Sequence, residues 1–311
     1  MNQNELLAIL PHLPVIEVSP KSIVSSFLQR SPNTARAYEG DLLDFAKFLG
    51  VETREQAAAF LFAQGQGNAN AIAISYFDHL KEQKKSASTI NRRLACLKAL
   101  VARAQLVGLV PFDLKIPKMT AQPYRDTRGP GKEGFLKMLA ILQNKTDAKA
   151  VRDRALLRLL FDLALRRNEV THLDVEHVDL VTGTLSIHGK GKHHRQVMTL
   201  AAPTKEALKE WLKVRGEEPG SLFRGFDPGR ISARLTGQGL YVIIKDIGEK
   251  AGVNVRPHGL RHAAITHALD KTNGNVRKVQ KFSRHADVKT LCLYDDARND
   301  IAGEISSLVS E

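Results

Sequence analysis

Cysteine is nearly absent: the 311-residue chain holds two, Cys96 and Cys292. Two thiols build neither a disulfide framework nor a cysteine-rich zinc site, and they suit a reducing intracellular setting. No apolar run reaches the roughly 18 residues a membrane-spanning helix needs, so no membrane partner is expected. The first 18 residues hold apolar positions but have no basic start and are broken by Pro11 and Pro14, unlike a signal peptide. No low-complexity segment or internal repeat is evident. His258, His262 and His267 fall on one expected helix, yet His258 is followed by Gly259. The general base of a helical zinc site is therefore missing, and no metal is expected.

Positive charge, in contrast, is in excess. There are 46 Lys and Arg against 33 Asp and Glu, a net +13. The excess is spread along the chain, with 14 basic and 10 acidic residues over 1–120 and 32 and 23 over 121–311. It is not a charged tail on a neutral protein. A polyanion partner and a merely solvated basic surface both fit the count alone.

The first part of the chain has helical periodicity. Ser31-Pro32-Asn33-Thr34 offers helix-start chemistry, and Tyr38, Leu42, Phe45 and Leu49 then share a face. The run Gln64–Asn68 reads as a loop. A second helix has Ile72, Tyr76, Phe77 and Leu80 inward. A third follows Ser86, with Ile90, Leu94, Leu97 and Val101 inward and Arg92, Arg93 and Lys98 elsewhere on its surface. Segments this short need mutual packing, so a small helical bundle is expected. From Pro111 to Gly134 there are four prolines, three glycines and five basic residues, the composition of a linker. The expected division is a segment 1–19, a helical domain 20–112, a basic linker 113–132 and a second domain 133–311. In the second domain, helices are expected near 133–143, 149–164, 203–215, 237–251, 258–270 and 274–283. A β-hairpin over 183–200 should turn at Gly189-Lys190-Gly191. The fold class is mainly α with a small antiparallel sheet.

Several residues carry chemistry. His258 and Arg261 are three apart near a helix start that follows Pro257, an arrangement able to hold an anion. His262 either joins them or turns inward. Arg166 and Glu169 are also three apart, at the expected end of an apolar helix. They form either a surface ion pair or an arginine steadied by a carboxylate and offered to a ligand. Lys190 sits in a glycine-flanked turn, either solvated or reaching a phosphate.

In chain order Arg166, Lys190, His258-x-x-Arg261, His285 and Tyr294 are separated by 24, 68, 3, 24 and 9 residues. This series resembles the tyrosine recombinase, or phage integrase-like, family. Ala164-Leu-Arg-Arg-Asn-Glu169 is similar to its Gly-Leu-Arg-x-x-Glu motif, and Gly189-Lys190-Gly191 to its hairpin lysine. His258 and Arg261 are similar to its His-x-x-Arg pair, and His285 with Tyr294 to its late histidine and nucleophile. Two departures stand out: Ala164 replaces a glycine, and Arg284 replaces the glycine of the usual Leu-Gly-His. Arg284 would either alter packing or add a phosphate contact.

The resemblance covers about residues 20 to 300. It implies a SAM-like core-binding domain followed by a DNA breaking-rejoining catalytic domain, with no arm-binding domain in front. It implies a cofactor-independent site-specific recombinase acting on double-stranded DNA in the cytoplasm, nucleoid-associated when bound. It also implies a homotetramer on synapsed DNA and a monomer when free. The implied roles are Tyr294 as nucleophile, Arg166 and Arg261 as phosphate clamps, and His258 as proton acceptor. Lys190 would be the acid, His285 a phosphate-site histidine, Glu169 and His262 supports, and Arg92, Arg93 and Lys98 backbone contacts. The segment Asp300–Val309, with Ile301, Ile305, Leu308 and Val309 at helical spacing, is expected to dock on a neighbouring protomer. A type IB topoisomerase and a non-catalytic DNA-binding regulator remain the rival readings.

Overall fold

In the computed structural model, residues 18–120, 129–188, 195–226, 233–289, 291–292, 306 and 309–310 are described. The chain divides into two compact units, residues 1–122 and 123–311. Among the described residues no helix is long and apolar enough to cross a membrane.

The first unit is built from α1 (Pro20–Leu28), α2 (Pro32–Leu49), α3 (Arg54–Phe62), α4 (Gln66–Glu82) and α5 (Ala87–Leu106). Side-chain caps start three of them. Ser19 and Thr53 form capping boxes with Ser22 and Gln56, and the Ser86 hydroxyl accepts from the Thr89 N–H. Phe27, Leu42, Phe45, Leu61, Tyr76, Leu80, Ile90 and Leu97 fill the core. Three features differ from what the sequence pattern predicts. The expected helices include neither α1 nor α3: the alanine run of α3 leaves little periodic signal, whereas α1 is a short helix whose Ile23, Val24 and Phe27 share one buried face. The expected loop over 64–68 shrinks, because extended Gly65 caps α4 and Gln66–Asn68 are already helical. Residues 113–119, expected as linker, lie on this unit: Leu114 is buried, and the Asn91 side chain holds both polar groups of the Met119 backbone, at 2.8 and 2.9 Å.

The second unit holds α6 (Gly131–Ala140), α7 (Ala148–Asp162), the short α8 (Arg167–Thr171), a 3-10 turn (Val175–His177) and three strands. These are β1 (Val178–Asp179), β2 (Thr184–His188) and β3 (Arg195–Thr199). Then follow α9 (Ala202–Arg215), α10 (Gly237–Lys250), α11 (Pro257–Lys271) and α12 (Val276–Ser283). Helix α7 is buried nearly all round, Arg152 and Asp153 included, and forms the centre, packed by α6, α9 and α11. Phe135 stacks on Phe161 with centroids 4.0 Å apart, and Trp211 donates to the Leu222 carbonyl at 2.8 Å. The sheet is antiparallel in order β1-β2-β3, with Leu185 opposite Met198. Leu185 and Ile187 face the core, as strand alternation requires. The hairpin turn carrying Lys190 lies outside the described residues, as do residues 1–17, 121–128 and Tyr294. Of the C-terminal segment, only residues 306 and 309–310 are described.

Glycine is required at one close approach. Gly129 has φ +60°, and a Cβ there would collide with the carbonyl oxygen of Gly259 in the first turn of α11. The backbone before α6 is thereby fitted against the helix that carries His258 and Arg261.

Candidate active site

Two helix ends create the site. Helix α7 ends at Asp162, two residues earlier than its apolar pattern predicts, because Ala164 adopts φ +47° and turns the chain. Arg166 is then not the tail of that helix but the N-cap of the next one, α8. Glu169 caps it back: its Oε2 accepts from the Arg166 backbone N–H and its Oε1 from Nη1, both at 2.7 Å. Helix α12 ends the same way. Arg284 has φ +58°, and its N–H donates to the Gln280 carbonyl at 2.8 Å. Both turns use left-handed backbone without glycine, a conformation disfavoured for any residue with a Cβ.

Arg261 projects from α11 and is fully buried, so it is not an arginine on a solvated face. Its Nη1 donates to the Ala164 carbonyl and its Nη2 to the Ser283 carbonyl. The guanidinium is thus pinned to the carbonyls of both turns. Arg166 Nη2 donates to the Arg284 carbonyl at 3.3 Å. Both arginines thus donate to the turn that ends α12.

His285 follows the second turn. Its Nδ1 lies 3.1 Å from Ser283 Oγ and its Nε2 3.3 Å from Arg261 Nη2. A guanidinium offers donors only, so Nε2 accepts and the ring proton resides on Nδ1. Burial first, then the charges of Arg261, Arg166, His258 and Arg284, push the His285 pKa down to about 4. The imidazole is therefore neutral near pH 7. His258 is exposed at the start of α11, and its ring meets that of His262 edge to face, centroids 4.2 Å apart. His262 turns partly inward behind it.

Arg284, for which the sequence leaves packing and phosphate contact both open, packs. Its side chain is 5% exposed. Nη1 donates to the carbonyls of Leu163 and Phe282 at 3.0 and 3.1 Å and approaches Met198 Sδ at 3.2 Å. Nη2 donates to the Ala164 carbonyl and to Glu169 Oε2, each at 3.0 Å. For Glu169, burial favours the neutral acid, but Arg284, then Arg166, outweigh it and hold the carboxyl below its ordinary pKa. Burial lowers the Arg284 pKa, opposed by Glu169. Two guanidinium groups, those of Arg166 and Arg284, meet one carboxylate, and Arg261 is held nearby by carbonyls alone, so positive charge is in excess among these four side chains. No sequence signal marks the carbonyls of Ala164 and Ser283 as arginine acceptors, because they become available only through the two left-handed turns.

The candidates on the first unit behave differently from one another. Arg93 on α5 is largely buried and pairs with Asp44, whose Oδ2 also accepts from the Tyr76 hydroxyl at 2.7 Å. Arg92 is half exposed and pairs with buried Asp41. Lys98 is exposed.

The second unit thus gathers three arginines at two helix ends, an arrangement with the charge and the donors to hold an anion. Comparison with known proteins gives the family. The Phage integrase family profile matches residues 132–300, and that of the Phage integrase N-terminal SAM-like domain matches 25–105. A tyrosine recombinase of Synechococcus elongatus is 38% identical over 311 residues, spanning 96% of each chain. Another from Synechocystis is 36% identical, spanning 91% of this chain and 92% of the relative. The fold also superposes on the XerH site-specific recombinase bound to palindromic difH substrate, with a TM-score of 0.65 and 21% identity, covering 100% of this chain and 90% of that one. The chain belongs to the phage integrase family and is a tyrosine-type site-specific recombinase.

Proposed function

We propose that this recombinase breaks and rejoins double-stranded DNA by transesterification, with Tyr294 as nucleophile. The Tyr294 hydroxyl attacks the scissile phosphorus. A 3′-phosphotyrosyl bond forms and the P–O5′ bond breaks. The phenol proton passes to His258, and the leaving 5′-oxygen takes a proton from Lys190. A 5′-hydroxyl of another strand then reverses the step. Because one phosphoester replaces another, no nucleotide hydrolysis is needed.

The observation that carries this reading is the shared anchoring of Arg166 and Arg261. Both donate to backbone carbonyls of the Ser283–Arg284 turn, and Arg261 also to that of Ala164. Guanidinium groups fixed before the reaction stabilise charge building on non-bridging oxygens without reorganising, often the main source of rate enhancement in such catalysis. Neutral His285 accepts from Arg261 until a phosphate arrives. The anion would favour its protonation, and both ring nitrogens then donate. Exposed Lys98 and half-exposed Arg92 supply backbone contacts that position without specifying sequence.

The working form is a homotetramer on two duplexes, assembled through the segment Asp300–Val309, with the enzyme in the cytoplasm and on the nucleoid. Removing residues 300–311 should leave half-site cleavage intact and abolish synapsis; unchanged recombination would refute that assembly role.

The central test uses a pool of nicked duplexes with randomised sequence. The wild type should yield SDS-stable protein–DNA adducts, and Tyr294→Phe should yield none. Adducts from the Phe variant would overturn the nucleophile assignment. Sequence-selective retention of DNA without adducts would mark a non-catalytic regulator. Relaxation of supercoiled plasmid without two-site exchange would mark a type IB topoisomerase.

A further inference from the structure

The geometry points to Arg284 as a positioning residue that holds Arg166 ready for phosphate by sharing its counter-ion, Glu169. This rests on the reading of Arg166 and Arg261 as phosphate ligands.

Glu169 has two oxygens, and both are committed. Oε1 accepts from Arg166 Nη1; Oε2 accepts from the Arg166 N–H and from Arg284 Nη2. With Arg166 as sole partner, the carboxylate could swing with it and would neutralise it. A second guanidinium on Oε2 fixes the carboxylate plane and takes a share of its charge. Arg166 is then oriented by Glu169 without being fully neutralised by it. Arg284 also acts through its backbone, since its carbonyl accepts from Arg166 Nη2. It reaches the second arginine as well, because the Ala164 carbonyl accepts from both Arg284 and Arg261.

Three features separate this role from a direct phosphate contact. The Arg284 side chain is 5% exposed. Each terminal nitrogen is engaged by protein: Leu163, Phe282 and Met198 for Nη1, and Ala164 and Glu169 for Nη2. Its backbone stays in the left-handed region at φ 58°, where glycine would sit without strain. The side chain is kept despite that conformation, and its contacts run to the elements that hold the two arginines.

The variants are Arg284→Gly, which suits the backbone, and Arg284→Lys, which keeps the charge but not the fork. Single-turnover cleavage would be read on a nicked duplex recovered as an adduct from the randomised pool, with affinity for that duplex measured alongside. Arg284→Gly should slow cleavage about tenfold or more while affinity changes less than about twofold, because a lost charged hydrogen bond acts at the phosphate and not along the backbone track. Arg284→Lys should recover part of the rate. In a Glu169→Gln background, Arg284→Gly should slow cleavage far less than it does alone, since the shared counter-ion is already gone and, of its side-chain ties to the supports of the two arginines, only the bond to the Ala164 carbonyl is left to lose. A merely structural role predicts independent, multiplying losses and a parallel fall in affinity.

A second arm needs no DNA site. In the ¹⁵N-labelled free protein, the Arg166 guanidinium signal should lose order in Arg284→Gly and regain part of it in Arg284→Lys. Wild-type cleavage by Arg284→Gly, multiplying losses with Glu169→Gln, or an unchanged Arg166 signal would each overturn the proposal. Absence of adducts from the wild type on every duplex would instead refute the transesterification reading. The Arg166 signal would still decide whether Arg284 positions it.

Discussion

Arg284 donates through Nη2 to the carbonyl of Ala164 at 3.0 Å, and both residues hold left-handed backbone, at φ 58° and 47°. The turn that ends α7 and the turn that ends α12 are thus built alike and bonded to each other. Neither uses the residue that takes this conformation without strain.

A branched side chain at the first turn should break this arrangement. Ala164 is fully buried, and a β-branched residue in left-handed backbone is a severe outlier. Ala164→Val should cost about 2–3 kcal/mol from strain and overpacking together. Chemical denaturation of the full chain checks this, and a loss below about 0.5 kcal/mol would show that the turn relaxes freely.

Glu169 should make stability depend on acid pH. Its carboxyl is held below the ordinary value by Arg284 and Arg166 against the opposing effect of burial. A depressed carboxylate stabilises fully above its unfolded-state pKa, and that contribution is lost as pH falls through the folded-state one. Glu169→Gln should therefore cost about 2–3 kcal/mol near neutral pH, since it leaves two guanidinium groups facing an amide. The gap to wild type should begin to close at the ordinary carboxylate pKa and vanish below the depressed one. Urea unfolding between pH 3 and pH 7 (roughly the span over which carboxylates titrate) measures it.

His285 should titrate at about 4 in the free protein. The unfolded chain takes up that proton near the ordinary histidine value of about 6.5. Its contribution to stability is therefore lost as pH falls between those two values. The ring resonances of His285 followed by NMR give the midpoint directly. An ordinary midpoint would mean the ring is not packed against the arginines. Adding inorganic phosphate, a tetrahedral anion that stays monomeric in acid, should raise the midpoint.

The basic residues of the first unit should separate into two kinds. Exposed Lys98, replaced by Ala, should leave the melting temperature unchanged and reduce the salt dependence of DNA affinity by about one counter-ion. Largely buried Arg93, which pairs with Asp44, should on replacement by Ala destabilise its unit by about 2–3 kcal/mol, because Asp44 and its neighbour Asp41 lose a counter-charge. Thermal melts and salt-titrated binding distinguish the two. An altered salt slope without destabilisation for Arg93→Ala would reverse its assignment.

Gly129→Ala should strain the start of α11. The added Cβ meets the Gly259 carbonyl at φ +60°, and a loss of about 2 kcal/mol is expected from the contact and the conformation together. An unchanged melting temperature would show that the approach is loose.

Much of this is legible in the sequence, for physical reasons that vary by residue. The apolar spacing of Ile90, Leu94, Leu97 and Val101 announces α5, since one buried face must recur with the helical period. The alternation around Leu185 and Met198 announces the hairpin for the same reason at period two. The ordered series from Arg166 to Tyr294 points to the family because the side chains themselves carry the chemistry. What stays hidden depends on backbone. No periodicity reveals that Ala164 reverses the chain, so in sequence Arg166 looks like the end of one helix when it begins another. Charge alone does not tell Arg93, which serves the core, from Lys98, which is exposed. Arg284 is visible as a departure from the family motif, but its direction is not, since that follows from a φ angle and not from a residue type.

The partners of Arg284 also set a timetable. Its bonds to Leu163, Ala164 and Glu169 join positions 121, 120 and 115 residues apart along the chain. During synthesis the helices around α7 emerge long before the residue that ties Glu169 in place. Contacts so distant in sequence close late, after the intervening chain has been ordered. A ribosome-bound chain that has folded its first unit still lacks the turn to which Arg166 and Arg261 are fastened. The fastening of Arg166 and Arg261 is thus among the last contacts the folding chain can complete.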